Sequence, residues 1–146
     1  MIRPKTKYKI MSTTNKSEYM LLFRGTDWCA GLSPEEIQTV MSDWKSWFEG
    51  LMSDGRVKAG QPLEREGKIV SGKNGRIVAD GPFAESKEAI GGYFLLEVGS
   101  LDEAVAIAKN CPGLQYGIVV EVRPVAEMCP VARELGAEEQ LAHAVN

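Results

Sequence analysis

Residues 79–98 read ADGPFAESKEAIGGYFLLEV and contain three consecutive structural signals. Residues 80–83 (DGPF) predict a tight turn, because Asp accepts backbone hydrogen bonds, Gly tolerates positive φ and Pro fixes φ. Residues 84–90 have the composition of a short helical segment, which residues 91–92 (GG) would end. Residues 93–98 (YFLLEV) are rich in aromatic and apolar side chains and predict a central strand.

Upstream of this segment the sequence predicts a strand followed by a long helix. Residues 18–24 (EYMLLFR) have strand composition. Ser33 is a good N-cap, with Pro34 at the first helical position and Glu36 at the capping-box position. Apolar and aromatic residues then recur at helical spacing as far as Gly55. We therefore expect an amphipathic helix whose aromatic stripe faces the core.

The remaining elements are short. Residues 56–60 predict a strand, and residues 68–71 and 76–79 flank an Asn-Gly pair that is typical of a hairpin. Ser100 can cap a second helix, in which acidic residues occupy the first turn. Residues 116–123 (YGIVVEVR) predict the last strand of the core.

This order of elements predicts an α+β domain of the ferredoxin-like sandwich type, with two helices on one face of an antiparallel sheet. Strand alternation makes the other face a mixture of apolar and charged residues. Such a face suits pairing with a second copy around a partly polar cavity, so we predict a homodimer. Its charged residues are candidate ligand contacts, with ion pairs between strands or subunits as the alternative. These residues are Arg24, Glu97, Glu121 and Arg123.

The length and net charge of the chain limit the number of domains and the kinds of partner that we expect. The chain has 146 residues, which suits one domain, here residues 18–128, between a flexible tail at 1–17 and a partly helical tail at 129–146. A net charge of −3 argues against binding to nucleic acid or to an anionic membrane surface. No apolar run approaches the ~18 residues of a membrane span, and we expect a cytoplasmic protein.

The sequence predicts neither a metal nor another cofactor. The three cysteines, Cys29, Cys111 and Cys129, are far apart and lack the short spacings of zinc and redox sites. The single histidine, His143, stands near the end of the chain. No glycine-rich phosphate-binding loop follows a strand. We expect reduced thiols and no nucleophilic Cys-His pair.

Asp80 is the candidate catalytic acid. An Asp at the end of a hairpin, near Arg24 or Lys87, could act as a base or ligand anchor, and the alternative is that it caps the turn. Trp28, in a loop, is expected to cover either a pocket or the edge of the core. Together with Trp44 on the long helix, these residues would line a cavity for a small molecule.

Residues 80–88 (DGPFAESKE), followed by residues 91–93 (GGY), closely resemble the signature of the DGPF group of YCII-related proteins. The resemblance covers about residues 18–128 and includes residues 32–36 (LSPEE) and 100–104 (SLDEA). It implies a ferredoxin-like α+β subunit that pairs into a dimeric α+β barrel, in agreement with the fold predicted above.

The resemblance implies two classes of function. One is a small-molecule-binding protein or enzyme, here with a cavity near Asp80; the alternative is a non-catalytic regulatory module accessory to transcription. Simpler members of the family have a His on the first helix and an Asp in a turn after the second. Counted back from Gly55, the His position falls near Trp44, and the turn corresponds to residues 111–113 (CPG). That acid-base pair is therefore not carried over to this chain.

Overall fold

The structure is a computed structural model that describes residues 15–82 and 86–136. In chain order its strands and helices are β1 (Ser17–Arg24), α1 (Pro34–Ser53), β2 (Val57–Pro62), β3 (Gly67–Ser71), β4 (Ile77–Gly81), β5 (Ile90–Val98), α2 (Leu101–Ala108), β6 (Val119–Pro124) and α3 (Pro130–Leu135). Strands β2, β5, β1 and β6 lie side by side in that order, and β3 pairs with β4 in a separate hairpin. All pairings are antiparallel. The predicted α+β class is confirmed, and among the described residues both sheets are open.

The predicted capping box starts α1. The Glu36 amide donates to Ser33 Oγ at 3.1 Å, and the Ser33 amide donates to Glu36 Oε1 at 2.8 Å, so two otherwise unpaired backbone donors are satisfied. The helix ends at Ser53, and Gly55 then adopts φ +73°, a left-handed conformation that glycine accepts readily. These caps fix where the helix begins and ends.

Both long helices pack on the same face of the main sheet. The core between them contains Leu21 and Phe23 of β1 and Leu96 of β5, with Leu51 from α1 and Ile107 from α2. The alternation predicted for the strands is confirmed, because the buried residues are every second residue of β5. We call the other side of the sheet, which neither α1 nor α2 covers, the open face.

The segment at 80–92 differs from its prediction. Residues 80–81 do not turn but continue β4, where they pair with Lys68 and Gly67. Residues 83–85 of the predicted helical segment lie outside the described residues, and the remainder before β5 forms a turn instead of a helix. The two glycines belong to β5, and a Cβ atom on Gly92 would lie 3.0 Å from the carbonyl oxygen of Gln61. Close packing against β2 explains this glycine better than a helix end does.

The other boundaries shift by a few residues. Strand β2 runs to Pro62, two residues beyond its prediction, because it stays paired with β5. Residues 114–116 form a single 3₁₀ turn, so β6 begins at Val119. Of the two predicted tails, residues 1–14 and 137–146 lie outside the described residues. No helix in the described part of the chain is long and apolar enough to cross a membrane.

Candidate ligand cavity

A cavity of about 600 Å³ opens between α1 and the helix-covered face of the sheet. It lies where β1 and β2 end and β5 begins, next to the loop that follows β1. Most of its wall is aromatic or aliphatic, and we call it the aromatic cavity. Its lining residues are Phe23, Gly25, Thr26, Trp28, Met41, Trp44, Lys45, Phe48, Gly60, Gln61, Pro62, Leu63, Arg65, Gly91, Gly92, Tyr93, Phe94 and Ile118.

The floor of the aromatic cavity is a cluster of interlocking rings. Phe23 makes edge-to-face contacts with Trp44 at 5.1 Å and with Phe94 at 4.9 Å between ring centroids. Phe48 lies 4.8 Å from Phe94 on the other side. Such pairs add to the hydrophobic gain of burial. The floor is therefore a preformed apolar surface that belongs to the core.

One face of α1 forms a side wall. Met41, Trp44, Lys45 and Phe48 line the cavity at positions i, i+3, i+4 and i+7, which a helix brings to the same side. The predicted core-facing stripe is confirmed, since Trp44 and Phe48 pack against the buried core. Lys45 is the one cation within this run, and its spacing in the sequence is the signal that could have identified it.

The loop after β1 closes the adjacent side. Gly25 adopts φ +94° and turns the chain, and its amide donates to the carbonyl oxygen of Ala89 at 2.9 Å. Trp28 follows in this loop and lies 6.2 Å from Tyr116 between ring centroids. It also lines the aromatic cavity. The structure thus brings Trp28 and Trp44, two of the predicted ligand-binding residues, to one cavity.

A second cation reaches the cavity from the link between β2 and β3. Arg65 lines the wall, and its Nη2 lies 3.7 Å from Cys29 Sγ. Nothing in the sequence around Arg65 singles it out, because the link carries no motif. Only the path of the chain brings it next to the loop that holds Trp28.

The four charged residues predicted as ligand contacts lie on the open face, and three of them share an ion-pair network there. Arg24 Nη1 is 2.6 Å from Glu88 Oε1, and Arg24 Nε is 3.8 Å from Glu121 Oε1. Arg123 Nη1 lies 3.7 Å from the other oxygen of Glu121. These contacts match the alternative that the sequence left open, ion pairs between strands. A role in ligand binding stays a prediction.

Glu97 lies at the opposite end of the open face. It pairs across the strands with Glu18, whose Oε2 is 2.5 Å from Lys58 Nζ. The hydrogen bond and the negative charge of Glu18 raise the pKa of Lys58, and the Glu97 carboxylate acts in the same direction. Glu97 and Lys58 therefore belong to one local charge cluster, away from the aromatic cavity.

Asp80 lies in the β3–β4 hairpin and not in the aromatic cavity. Its side chain is 83% exposed, and its Oδ1 accepts from Lys68 Nζ at 2.5 Å. Arg24, one of the two basic partners that the sequence suggested, pairs with Glu88 instead. The structure does not bring Asp80 together with Trp28 or Trp44, and its catalytic role stays a prediction.

The described residues contain no cluster of three His, Cys, Asp or Glu side chains that could hold a metal ion. The three cysteines, all within the described part of the chain, are free. Burial raises the pKa of the Cys111 thiol to about 11, so this thiol is neutral at physiological pH. A neutral thiol is a poor nucleophile, and Cys111 is best understood as a core residue.

A sequence profile described as the YCII-related domain matches residues 8–129 of this chain. The chain belongs to the YCII-related family. An uncharacterised protein of Rhizobium meliloti (strain 1021) is 45% identical to this YCII-related protein over 51 residues. The aligned region is 34% of this chain and 41% of the relative, so the chain spans less than half of that relative's length.

Trp44 and the turn after α2 lie side by side in this YCII-related protein. A Cβ atom on Gly113, in the turn after α2, would lie 2.9 Å from Trp44 Cζ3. The ring of Trp44 thus packs directly against that turn, at the edge of the aromatic cavity. An indole ring and a compact turn therefore form this edge of the aromatic cavity.

Proposed function

We propose that this YCII-related protein binds a small, largely apolar molecule in the aromatic cavity and works as a homodimer, either as a binding protein or as an enzyme. The cavity is the observation that carries the proposal. Its volume of about 600 Å³ is typical of ligand sites, and its wall combines aromatic rings with a few polar groups. Trp28 and Trp44 would make the main contacts.

The dimer is proposed from the open face. Met20 and Leu22 of β1 lie beside Leu95 and Tyr93 of β5, and all four side chains are only partly exposed in the single chain. Apolar residues flanked by charged clusters favour a self-complementary contact. The strand order β2-β5-β1-β6, with two helices on one face, supports a ferredoxin-like subunit. We infer that two such sheets pair face to face as a dimeric α+β barrel of the DGPF group.

Native mass spectrometry of the purified full-length chain tests both parts at once. We expect twice the subunit mass, together with the mass of a co-purified small molecule. Trp28→Ala should remove that molecule and keep the dimer, because Trp28 lines the cavity and does not belong to the open face. A ligand that stays bound to the Trp28→Ala protein with unchanged occupancy would refute the cavity assignment.

Substitutions on two surfaces locate the dimer contact. Leu95→Lys places a charge in the middle of the open face and should give a monomer in sedimentation equilibrium. Met52→Lys is the control, since Met52 is 56% exposed on α1, and should leave the dimer intact. A dimer that survives Leu95→Lys unchanged would exclude the open face as the contact.

An interaction module is the second candidate, because the β3–β4 hairpin carries large exposed apolar side chains. Ile69 is 50%, Val70 63%, Ile77 51% and Val78 61% exposed. A two-stranded hairpin is marginal by itself, so a second copy of the chain is the simplest cover for it. A monomer produced by Val78→Lys, but not by Leu95→Lys, would favour this contact. Involvement in transcription stays a prediction from the family resemblance.

If the protein is an enzyme, Asp80 is the proposed catalytic acid. An Asp80→Ala protein is expected to stay folded, because the carboxylate is largely exposed and its one ion pair, with Lys68, is at the surface. If that protein binds and converts a ligand as the unmodified chain does, Asp80 has no catalytic role.

A further inference from the structure

The charge of the aromatic cavity is one-sided. Among the described residues, Lys45 and Arg65 are the charged side chains that line it, and no Asp or Glu does. The chain as a whole carries a net charge of −3, so a cavity wall with two cations and no carboxylate departs from the average of its surface. A functional role for the two cations would explain this local excess of positive charge.

Lys45 and Arg65 make few polar contacts within the described residues. Neither forms an ion pair with a described carboxylate. The contact of Arg65 Nη2 with Cys29 Sγ, at 3.7 Å, is to a weak acceptor. Glu64 and Glu66 flank Arg65 along the chain, and all three line a neighbouring groove with Leu63. Of these three charged residues, Arg65 alone also lines the aromatic cavity.

Both cations stand beside apolar surface. Lys45 lies one helical turn from Met41 and one from Phe48, so its aliphatic stem follows the same wall as these side chains. Arg65 reaches the cavity next to Leu63. A charge next to a low-dielectric wall attracts an opposite charge more strongly than it would in bulk water. An apolar molecule in the cavity could therefore extend an anionic group to both side chains.

We propose that the aromatic cavity binds small organic acids: an apolar or aromatic body against the ring cluster, and one carboxylate or sulfonate held by Lys45 and Arg65. This assignment rests on the proposed function of the cavity and adds the chemical class of its ligand. Hydrogen bonds between a cation and an anionic oxygen are the strong ones in proteins, so the anionic group contributes to affinity as well as to orientation.

Two fluorescent probes with a common skeleton test the proposal. 1-Anilinonaphthalene-8-sulfonate carries one negative charge, and N-phenyl-1-naphthylamine is its neutral counterpart. Titrated into the full-length protein, the sulfonate should bind about tenfold more tightly than the neutral probe. The preference should shrink as salt is raised, because Lys45 and Arg65 are exposed and exposed charges are screened. Naphthalene-1-carboxylate should likewise displace the sulfonate probe better than naphthalene-1-carboxamide does.

Matched double variants assign the preference to the two cations. K45Q/R65Q should weaken sulfonate binding about tenfold and change the Kd of the neutral probe less than about threefold. K73Q/R76Q removes the same charge from the hairpin and should change neither value. Urea unfolding of each variant verifies that the fold is retained. Trp28→Ala should weaken the binding of both probes, and this loss would show that they bind in the aromatic cavity.

The outcomes separate this inference from the proposed function. Equal affinities of the two probes for the unmodified protein, both reduced by Trp28→Ala, would overturn the anion preference and leave the cavity function standing. An equal loss for both probes in K45Q/R65Q would also overturn it. If neither probe binds, or if Trp28→Ala leaves the binding of both probes unchanged, the cavity function is contradicted. The assignment of its ligand class then falls with it.

Discussion

Gly60 is the position at which one methyl group tests how tightly the floor of the aromatic cavity is packed. A Cβ atom on Gly60 would lie 2.7 Å from Phe94 Cδ1, 2.8 Å from Phe48 Cε1 and 3.1 Å from the carbonyl oxygen of Tyr93. The Phe94 ring has little room to retreat, because Trp47 lies 5.0 Å away between ring centroids on another side. Gly60→Ala must therefore displace a ring or a strand.

The expected cost of Gly60→Ala follows from two opposing terms. Overpacking a core by a methylene or methyl group costs about 1–3 kcal/mol. Loss of backbone freedom in the unfolded chain offsets about 0.4–1 kcal/mol of this. We predict that the free energy of unfolding falls by about 1–2 kcal/mol, which lowers Tm by about 3–6 °C in a domain of this size.

Urea unfolding, followed by tryptophan fluorescence and circular dichroism, measures this change. Gly50→Ala is the matched control: Gly50 lies in α1, and a Cβ atom there would have no heavy atom within 4 Å. That variant should be more stable than the unmodified protein by up to about 1 kcal/mol, from helix propensity alone. If Gly60→Ala is as stable as the unmodified protein, or more stable, the described packing of β2 against Phe48 and Phe94 is wrong.

Three further perturbations test other parts of the fold. Leu21→Ala should lower the free energy of unfolding by about 2–5 kcal/mol in urea titrations, since Leu21 is 0% exposed in the core; a loss below about 1 kcal/mol would mean that it is not buried. Ser33→Ala should cost about 1 kcal/mol in the same assay by removing the capping box, whereas Ser42→Ala, at an exposed site of α1, should cost less; equal effects would contradict the cap. Stability should also fall between pH 9.0 and about 11, because the Cys111 thiol ionises near 9.0 when unfolded but only near 11 when folded. The unfolded state then holds fewer protons, and up to about 2–3 kcal/mol is lost across this window. Cys111→Ala should reduce this fall, with Lys58 titrating alike in both proteins, and an identical decline in both would contradict the assignment.

Much of the fold could be predicted because it depends on short-range signals. The capping box of Ser33 and Glu36 spans only four residues, and the alternation of buried Leu21 and Phe23 with more exposed neighbours follows from strand geometry. Within the described residues, the turn predicted at 80–83 is a strand at 80–81, and the helical segment predicted at 84–90 is a turn at 87–88. These predictions failed there because local propensity competes with strand pairing. Gly92 resembles a helix end in the sequence, but the structure needs a glycine there because the backbone of β2 approaches it closely.

Some residues of the candidate site could likewise be predicted from the sequence, and others could not. Trp28 and Trp44 could be selected from the sequence because large rings in a loop and on a helix face are unusual enough to notice. Lys45 could have been found from its spacing within the apolar stripe of α1, whereas Arg65 lies in a link that carries no motif. Asp80, the most conspicuous acid in the sequence, lies on the exposed hairpin, away from the aromatic cavity.

The family, the α+β class and the two faces of the sheet could be predicted without the structure, because caps, periodicity and motifs are properties of neighbouring residues. The position of the cavity and the charges that reach it depend on how distant segments pack. Lys45 and Arg65 are twenty positions apart in the chain, and it is the pairing of β2 with β5 and the packing of α1 over the sheet that bring them to one wall. Such long-range proximity depends on the summed packing of the whole domain, which no local pattern encodes.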